Sequence, residues 1–245
     1  MIVKIDHITI CSTDFESDLN YFSNLGFKPS ILNRKLKNLK IKNALMKSFC
    51  KYQKFALLES KNNLDVEILG YDNVNSGTPY IEPEFINSEK CLNNFSEFKN
   101  HLQKNQIPIK FSTDKKFTGF RFGKIKIYTR SVNDSQIFWE KLGFKTISQK
   151  NNKHAKMMFN ALINNQSLEL NLEYAEIKNA HYLDDRGFNC IAFITNSSVN
   201  EKKFFDKQNY QTTNIESFEV NKKKMDIFFC KSPQGEIIEL ISLRK

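Results

Sequence analysis

The feature that most constrains the fold of this chain is an internal repeat. The segment from Ile8 to Lys28 aligns without a gap with the segment from Ile125 to Lys145, at a shift of 117 residues. Both segments end in the same four residues, Leu-Gly-Phe-Lys. Self-similarity at a fixed shift indicates that one supersecondary unit is used more than once.

Each copy predicts a strand followed by a helix. Apolar residues alternate in Ile5–Ile10 and again in Ile125–Tyr128, which is typical of a half-buried strand. A polar turn with helix-capping residues follows in both copies, and then a stretch with apolar residues close to helical spacing. Gly26 and Gly143 fit the end of that helix, because glycine adopts a positive φ at little cost.

A second repeat closes the units and predicts a hairpin. A phenylalanine precedes a glutamate by ten residues in three places, a spacing that fits a strand, a tight turn and a returning strand. The three pairs are Phe49 with Glu59, Phe159 with Glu169, and Phe229 with Glu239. We therefore expect an α+β protein of four βαβββ units, at residues 1–72, 78–121, 122–176 and 186–245, the second unit being short.

Consecutive units are expected to pair into two domains. Units one and two would form a domain over residues 1–121, and units three and four a domain over residues 122–245. Further helices are predicted near Leu92–Gln103 and Asn200–Gln208.

Charge and cysteine content narrow the class of protein. The 37 Lys and Arg residues against 27 Asp and Glu give a net charge of +10, but the lysines are spread along the chain, which indicates a solvated surface and argues against nucleic acid as the partner. The five cysteines form no CxxC pair, as expected for free thiols in a reducing compartment. No apolar run approaches the roughly 20 residues that span a bilayer. We expect a soluble cytoplasmic protein, monomeric or homodimeric, without a membrane partner.

Four segments resemble the vicinal oxygen chelate superfamily, which includes glyoxalase I, bleomycin-resistance proteins and extradiol dioxygenases. They are Asp6–Ile10 together with Leu25–Phe27, then Gly187–Phe193, and finally Ser232–Leu240. The resemblance implies that two βαβββ units pair to form a cup around a ligand. It also implies that metal-binding members take a ligand, typically His, Gln or Glu, from the first and the last strand of each unit.

The resemblance assigns metal candidates to the first two units. His7 occupies the first-strand position of unit one, Glu59 its last-strand position, and Tyr80 the first-strand position of unit two. Glu67 is a rival for Glu59 but breaks the ten-residue spacing. The divalent ion would be Zn, Ni, Mn or Fe. The alternatives are that His7 is a core histidine and that Glu59 faces solvent.

The same assignment gives ligand-binding candidates in units three and four. Lys124 and Glu169 stand at the first-strand and last-strand positions of unit three, and Cys190 and Glu239 at those of unit four. Since Lys124 cannot bind a metal while charged, the metal site is expected to be degenerate. Cys190 is either a thiolate activated by Lys124 or Lys126, or small core filling. Met157, Phe159, Phe193 and Phe229 are expected to form the apolar wall of this cup, or alternatively to fill it completely.

The sequence thus favours a protein that binds a small organic molecule, aromatic or anionic, in the cup of units three and four. The alternative is a divalent-metal-dependent lyase or isomerase of the glyoxalase type, or a ring-cleaving dioxygenase. A third interpretation is a scaffold whose basic face meets an acidic protein or nucleic acid.

Overall fold

The computed structural model describes residues 1–60, 64–87, 96, 99–102, 104, 107–113, 120–163, 167–177, 180–220 and 223–244. Unit one has the predicted βαβββ order. Its elements are β1 (Ile2–Ser12), α1 (Phe15–Asn24), β2 (Lys28–Lys37), a 3₁₀ helix (Lys40–Leu45), β3 (Tyr52–Glu59) and β4 (Asp65–Gly70).

Unit two is short, as predicted from the sequence. Its described strands are β5 (Ile81–Asn87) and β6 (Lys110–Thr113). The helix predicted near Leu92–Gln103 lies largely outside the described residues.

Units three and four repeat the order of unit one. Unit three consists of β7 (Phe120–Thr129), α2 (Val132–Lys141), β8 (Lys145–Lys150), β9 (His154–Asn160) and β10 (Ser167–Tyr174). Unit four consists of β11 (Gly187–Thr195), α3 (Ser198–Lys207), β12 (Gln211–Thr212), β13 (Glu216–Val220), β14 (Lys223–Lys231) and β15 (Ile237–Leu243). Among the described residues, no helix is long and apolar enough to cross a membrane.

Local chemistry explains why the helices begin and end where they do. The Asp14 side chain accepts a hydrogen bond from the Ser17 amide at the start of α1, and Ser131 caps α2 in the same way. Gly26 and Gly143 follow the two helices with φ values of +94° and +95°, so both copies of the repeat use glycine for the left-handed residue.

The strands form two sheets that pair the units differently from the expectation. One sheet has nine strands and joins unit one to unit four, in the order β12-β14-β15-β11-β1-β4-β3-β2 with β13 beside β14. The other joins units two and three, in the order β6-β5-β7-β10-β9-β8. The expected pairing of units one with two and three with four is therefore wrong. In each sheet the two first strands meet antiparallel at the centre, β1 with β11 and β5 with β7.

An aromatic core joins the two sheets. The ring of Phe85 in unit two lies 6.4 Å from that of Phe188 in unit four, and the ring of Trp139 on α2 lies 6.4 Å from that of Phe193. All four side chains are fully buried. Aromatic pairs at such centroid distances pack favourably, so the apolar backs of both sheets share one core.

Candidate functional site

A cavity of about 420 Å³ lies against the nine-stranded sheet. Its lining comes from unit one and unit four, with Ile163 added from unit three, so neither of the two main units builds it alone. Most of the wall is apolar, and Phe55, Leu57, Phe218, Met225 and Ile227 contribute to it. A mostly apolar cavity of this size with a few polar groups is typical of small-molecule sites.

Three ionisable side chains converge in this cavity from three strands. His7 lies on β1, Glu67 on β4 and Glu239 on β15, and each is more than nine-tenths buried. The His7 Nε2 atom is 3.7 Å from a Glu67 carboxylate oxygen and 3.6 Å from a Glu239 carboxylate oxygen. One ligand atom from each residue lies within 4.8 Å of the other two.

Neighbouring polar groups fix the orientation of this cluster. The Asp6 carboxylate lies 3.2 Å from His7 Nδ1 and can only accept, so Nδ1 carries the hydrogen. Lys4 holds Asp6 from the other side at 2.8 Å. Thr9 Oγ1 donates a hydrogen bond of 2.8 Å to Glu67. These contacts leave the buried Nε2 of His7 without a hydrogen-bond partner.

The electrostatics of the cluster shift its pKa values. Burial alone would lower the pKa of His7, but the charge of Glu67 and the interactions with Asp6 and Glu239 outweigh it, and the pKa rises well above the usual range. Burial raises the pKa of Glu67 against the opposing charges of His7 and Lys42. In Asp6 the hydrogen bond and charge of His7, together with Lys4, overcome burial and lower the pKa.

Comparisons with known proteins bear on the fold alone. No protein-family model matches the chain, and no curated protein matches it. Among solved structures it is similar to a proposed dioxygenase from Bacillus subtilis subsp. subtilis strain 168, with a TM-score of 0.63 and 9% identity over 98% of this chain and 85% of that one. It is also similar to glyoxalase I from Zea mays, with a TM-score of 0.57 and 15% identity over 98% and 92% of the two chains. A point variant of the maize protein gives a TM-score of 0.61 at 17% identity, again over 98% and 92%.

The chain has the vicinal oxygen chelate fold. The predicted fold is thereby confirmed, and the strand positions at which the resemblance places ligands can be located in it. In the nine-stranded sheet the first-strand and last-strand positions hold His7 and Glu67 from unit one, and Cys190 and Glu239 from unit four. Cys190 is not within the convergent cluster.

Two of the predicted metal candidates lie away from the cluster. Glu59 is exposed at the end of β3 and reaches only the edge of the cavity. Tyr80 is buried just before β5, where its hydroxyl donates to the Asn189 carbonyl and accepts from the Ile237 amide, each at 2.8 Å. Tyr80 thus ties unit two to unit four, and its pKa is raised by burial.

The four ligand-binding candidates do not share one pocket, and that expectation is wrong. Lys124 and Glu169 are neighbours in the six-stranded sheet, whereas Cys190 and Glu239 belong to the nine-stranded sheet. Lys124 pairs with Glu84 at 3.3 Å. Glu169 pairs instead with Lys156, at 2.7 Å.

The expected apolar wall and the activated thiol also require correction. Met157, Phe159 and Phe193 are buried in the core between the sheets. Of the four, only Phe229 belongs to a second hydrophobic cluster, which also contains the cavity residues Ile227 and Ile241. Burial and the charges of Glu239 and Glu67 raise the pKa of Cys190, so its sulfur is a thiol and not an activated thiolate.

The predicted ten-residue spacing joins cross-strand partners in unit four only; in unit three Glu169 lies opposite Met158, and in unit one the spacing starts from a residue other than Phe49. Phe229 and Glu239 are direct cross-strand partners in unit four. The corresponding partners in unit one are Leu57 and Glu67, which are also ten residues apart. Phe49 lies before β3, which begins at Tyr52, and Glu59, ten residues after Phe49, is the last residue of that strand. The match of Val-Glu-Ile at Glu67 to Ile-Glu-Leu at Glu239 is the sequence signal that places Glu67 at the position equivalent to Glu239.

Proposed function

We propose that this chain binds a divalent metal ion through His7, Glu67 and Glu239 and uses the site to hold a small oxygen-bearing molecule in the adjacent cavity. The observation that carries the proposal is the buried, unpartnered Nε2 of His7, which faces two buried carboxylates. A buried polar atom without a partner is costly, and a metal ion would satisfy all three groups at once.

The donor set fits such an ion. Ligand atoms about 2.0–2.2 Å from one ion are at most about 4.4 Å apart. The separations of 3.7 Å and 3.6 Å from His7 to the two carboxylates fall below this limit. Imidazole nitrogen with carboxylate oxygen suits Zn, Mn, Fe or Ni. Asp6 behind His7 also matches the carboxylate that commonly orients a metal-binding histidine.

The chemistry follows from the residues around the site. A bound ion of this kind supplies a Lewis acid that stabilises negative charge on a substrate oxygen. Asp6 keeps the hydrogen of His7 on Nδ1, and Thr9 orients Glu67. The apolar wall excludes water from the substrate. Glyoxalase or dioxygenase chemistry are the two reaction classes that the resemblance and the neighbouring structures suggest for this site.

A metal titration of the chelator-treated protein tests the proposal. We expect one Zn²⁺ or Co²⁺ per chain by calorimetry, with affinity reduced at least tenfold by Glu239→Gln. Glu59→Gln is the matched control, because Glu59 is an exposed carboxylate at the edge of the same cavity. Unchanged metal affinity in Glu239→Gln would contradict the assignment. An equal loss of metal affinity in Glu59→Gln and Glu239→Gln would contradict it as well.

A second candidate function is ligand binding without a metal. The raised pKa of His7 favours it, because an imidazolium between Glu67 and Glu239 would neutralise part of their charge. This arrangement would leave a binding protein with a buried ion-pair cluster in place of a metal centre. The titration separates the two: no metal uptake in the wild-type protein, with ligand binding retained, would favour the second.

A further inference from the structure

Lys42 is a buried cation in the proposed substrate cavity. It lies on the 3₁₀ helix of unit one, lines the same cavity as the metal cluster and is only 3% exposed. The helix is held against unit four, since the Ile41 amide donates a 3.1 Å hydrogen bond to Glu216 and Leu45 is buried. The position of Lys42 is therefore set by the fold.

The Lys42 ammonium makes no direct ion pair among the described residues, although its charge acts on Glu67 from across the cavity. No described carboxylate lies within ion-pair distance of it. The ammonium lies over the face of Phe229, 5.8 Å from the ring centroid. Lysine is seldom buried without a partner, so a buried and unpaired ammonium in a cavity points to a missing anion.

A second polar side chain in the cavity is also unsatisfied. Gln53 on β3 is 5% exposed, and its Oε1 atom has no hydrogen-bond partner. It lines the same cavity as Lys42. A ligand that carries both an anionic group and a hydroxyl would satisfy Lys42 and Gln53 without any rearrangement of the sheet.

The charge balance of the metal-bound site also indicates an anionic ligand. With a divalent ion bound, the carboxylates of Glu67 and Glu239 balance only that ion, and Asp6 is already balanced by Lys4. The charge of Lys42 is then left over in a largely buried space. Because an unbalanced buried charge is unfavourable, a ligand with one negative charge completes the site.

We infer that Lys42 is the residue that recognises an anionic group on the substrate, so that the cavity takes small carboxylates whose other end offers two adjacent oxygens to the metal. This inference rests on the proposed function. The apolar wall accommodates the carbon skeleton, and Lys42 contributes a charge-assisted hydrogen bond to the carboxylate.

Calorimetric titration with two matched probes tests the inference. 3,4-Dihydroxybenzoate and 3,4-dihydroxybenzamide offer the same adjacent oxygens, but only the first is an anion. We expect the metal-loaded wild-type protein to bind the acid about tenfold or more tightly than the amide. In Lys42→Met this preference should vanish, while metal stoichiometry and affinity for the amide stay unchanged.

One further variant is a control and another is a substitute for Lys42→Met. Lys37→Met removes an exposed lysine at the edge of the same cavity and should leave the preference for the acid intact. Lys42→Gln replaces Lys42→Met if the latter does not fold. The inference is overturned if the metal-loaded wild-type protein binds 3,4-dihydroxybenzoate no more tightly than the amide. It is also overturned if the preference for the acid survives in the Lys42 variants. Failure of the wild-type protein to take up metal instead contradicts the proposed function, and this inference falls with it.

Discussion

At the scale of single residues, the candidate centre depends on how one histidine is held. Asp6 and His7 are adjacent in sequence, yet both contribute to one site, because the Asp6 carboxylate turns back to the Nδ1 atom of His7. This contact leaves Nε2 for the cavity. A carboxylate behind a metal-binding histidine fixes its tautomer and raises its basicity.

Replacing Asp6 by Asn should weaken metal binding by about 10- to 100-fold. The reason is that an amide can donate to Nδ1 and so move the hydrogen to Nε2, the atom that would bind the ion. Calorimetric titration with Zn²⁺ measures the change. Asp65→Asn is a suitable control, since Asp65 also lines the cavity but lies outside the cluster. Equal affinities in the wild-type and Asp6→Asn proteins would refute this role.

Metal affinity should also depend on pH. Because the pKa of His7 is raised well above its usual range, the metal-free imidazole keeps its proton to higher pH than a free histidine and must lose it to bind the ion. Affinity should therefore rise with pH until His7 is deprotonated. Titrations in buffers of different ionisation enthalpy should detect release of about one proton per ion. Binding at pH 7 without proton release would show that His7 is already neutral or is not a ligand.

At the scale of elements, one buried carboxyl links a helix of unit three to the last hairpin of unit four. Glu236, in the turn between β14 and β15, accepts hydrogen bonds from Ser135 on α2 and from Ser232. Burial raises its pKa to about 7, against the opposing hydrogen bond from Ser135. The turn thereby depends on the protonation of a group that bridges the two sheets.

This linkage predicts a pH dependence of stability. A carboxyl whose folded pKa exceeds its unfolded value of 4.5 stabilises the fold fully below 4.5, and the contribution is lost as pH rises through about 7. The free energy of unfolding should thus decline from pH 5 to 8 in the wild-type protein. Denaturant titrations should show a smaller decline in Glu236→Gln, which stays neutral. Parallel profiles in the two proteins, with Glu59→Gln as the exposed control, would contradict the prediction.

Local sequence features made the helices and strands predictable, whereas the choice of the site carboxylate depended on the register of a hairpin. Capping by Asp14 and the glycine at Gly26 are encoded within a few residues, and the βαβββ order followed from them. The choice between Glu59 and Glu67 depended instead on where β3 begins. Cross-strand register places Leu57 opposite Glu67, and that register is a tertiary property.

At the scale of the whole molecule, the pairing of units decides which residues form a site. The first strands of all four units carry similar apolar runs, so their sequences do not say which of them will meet. Chain order favours pairing of consecutive units, but the structure joins the first unit to the last in one sheet and the two middle units in the other. This topology brings His7 within 3.6 Å of Glu239, 232 positions later in the chain.

The topology predicts that the two halves of the chain do not fold independently. A cut between residues 121 and 122 falls inside β7 and separates β1 from β11, and β5 from most of β7. Fragments 1–121 and 122–245 should each give poorly dispersed NMR spectra, and mixing them should restore native dispersion. Two separately folded fragments would show that the units pair within each half.

The position of a bound ion tests the central claim most directly. Crystals of the full chain grown with Zn²⁺ or Mn²⁺ would reveal the ion by anomalous scattering. We expect one strong peak per chain, within about 2.0–2.3 Å of His7 Nε2 and of oxygens from Glu67 and Glu239. A peak confined to the six-stranded sheet near Glu84 and Glu169, or none at the His7 cluster at saturating metal, would contradict the account.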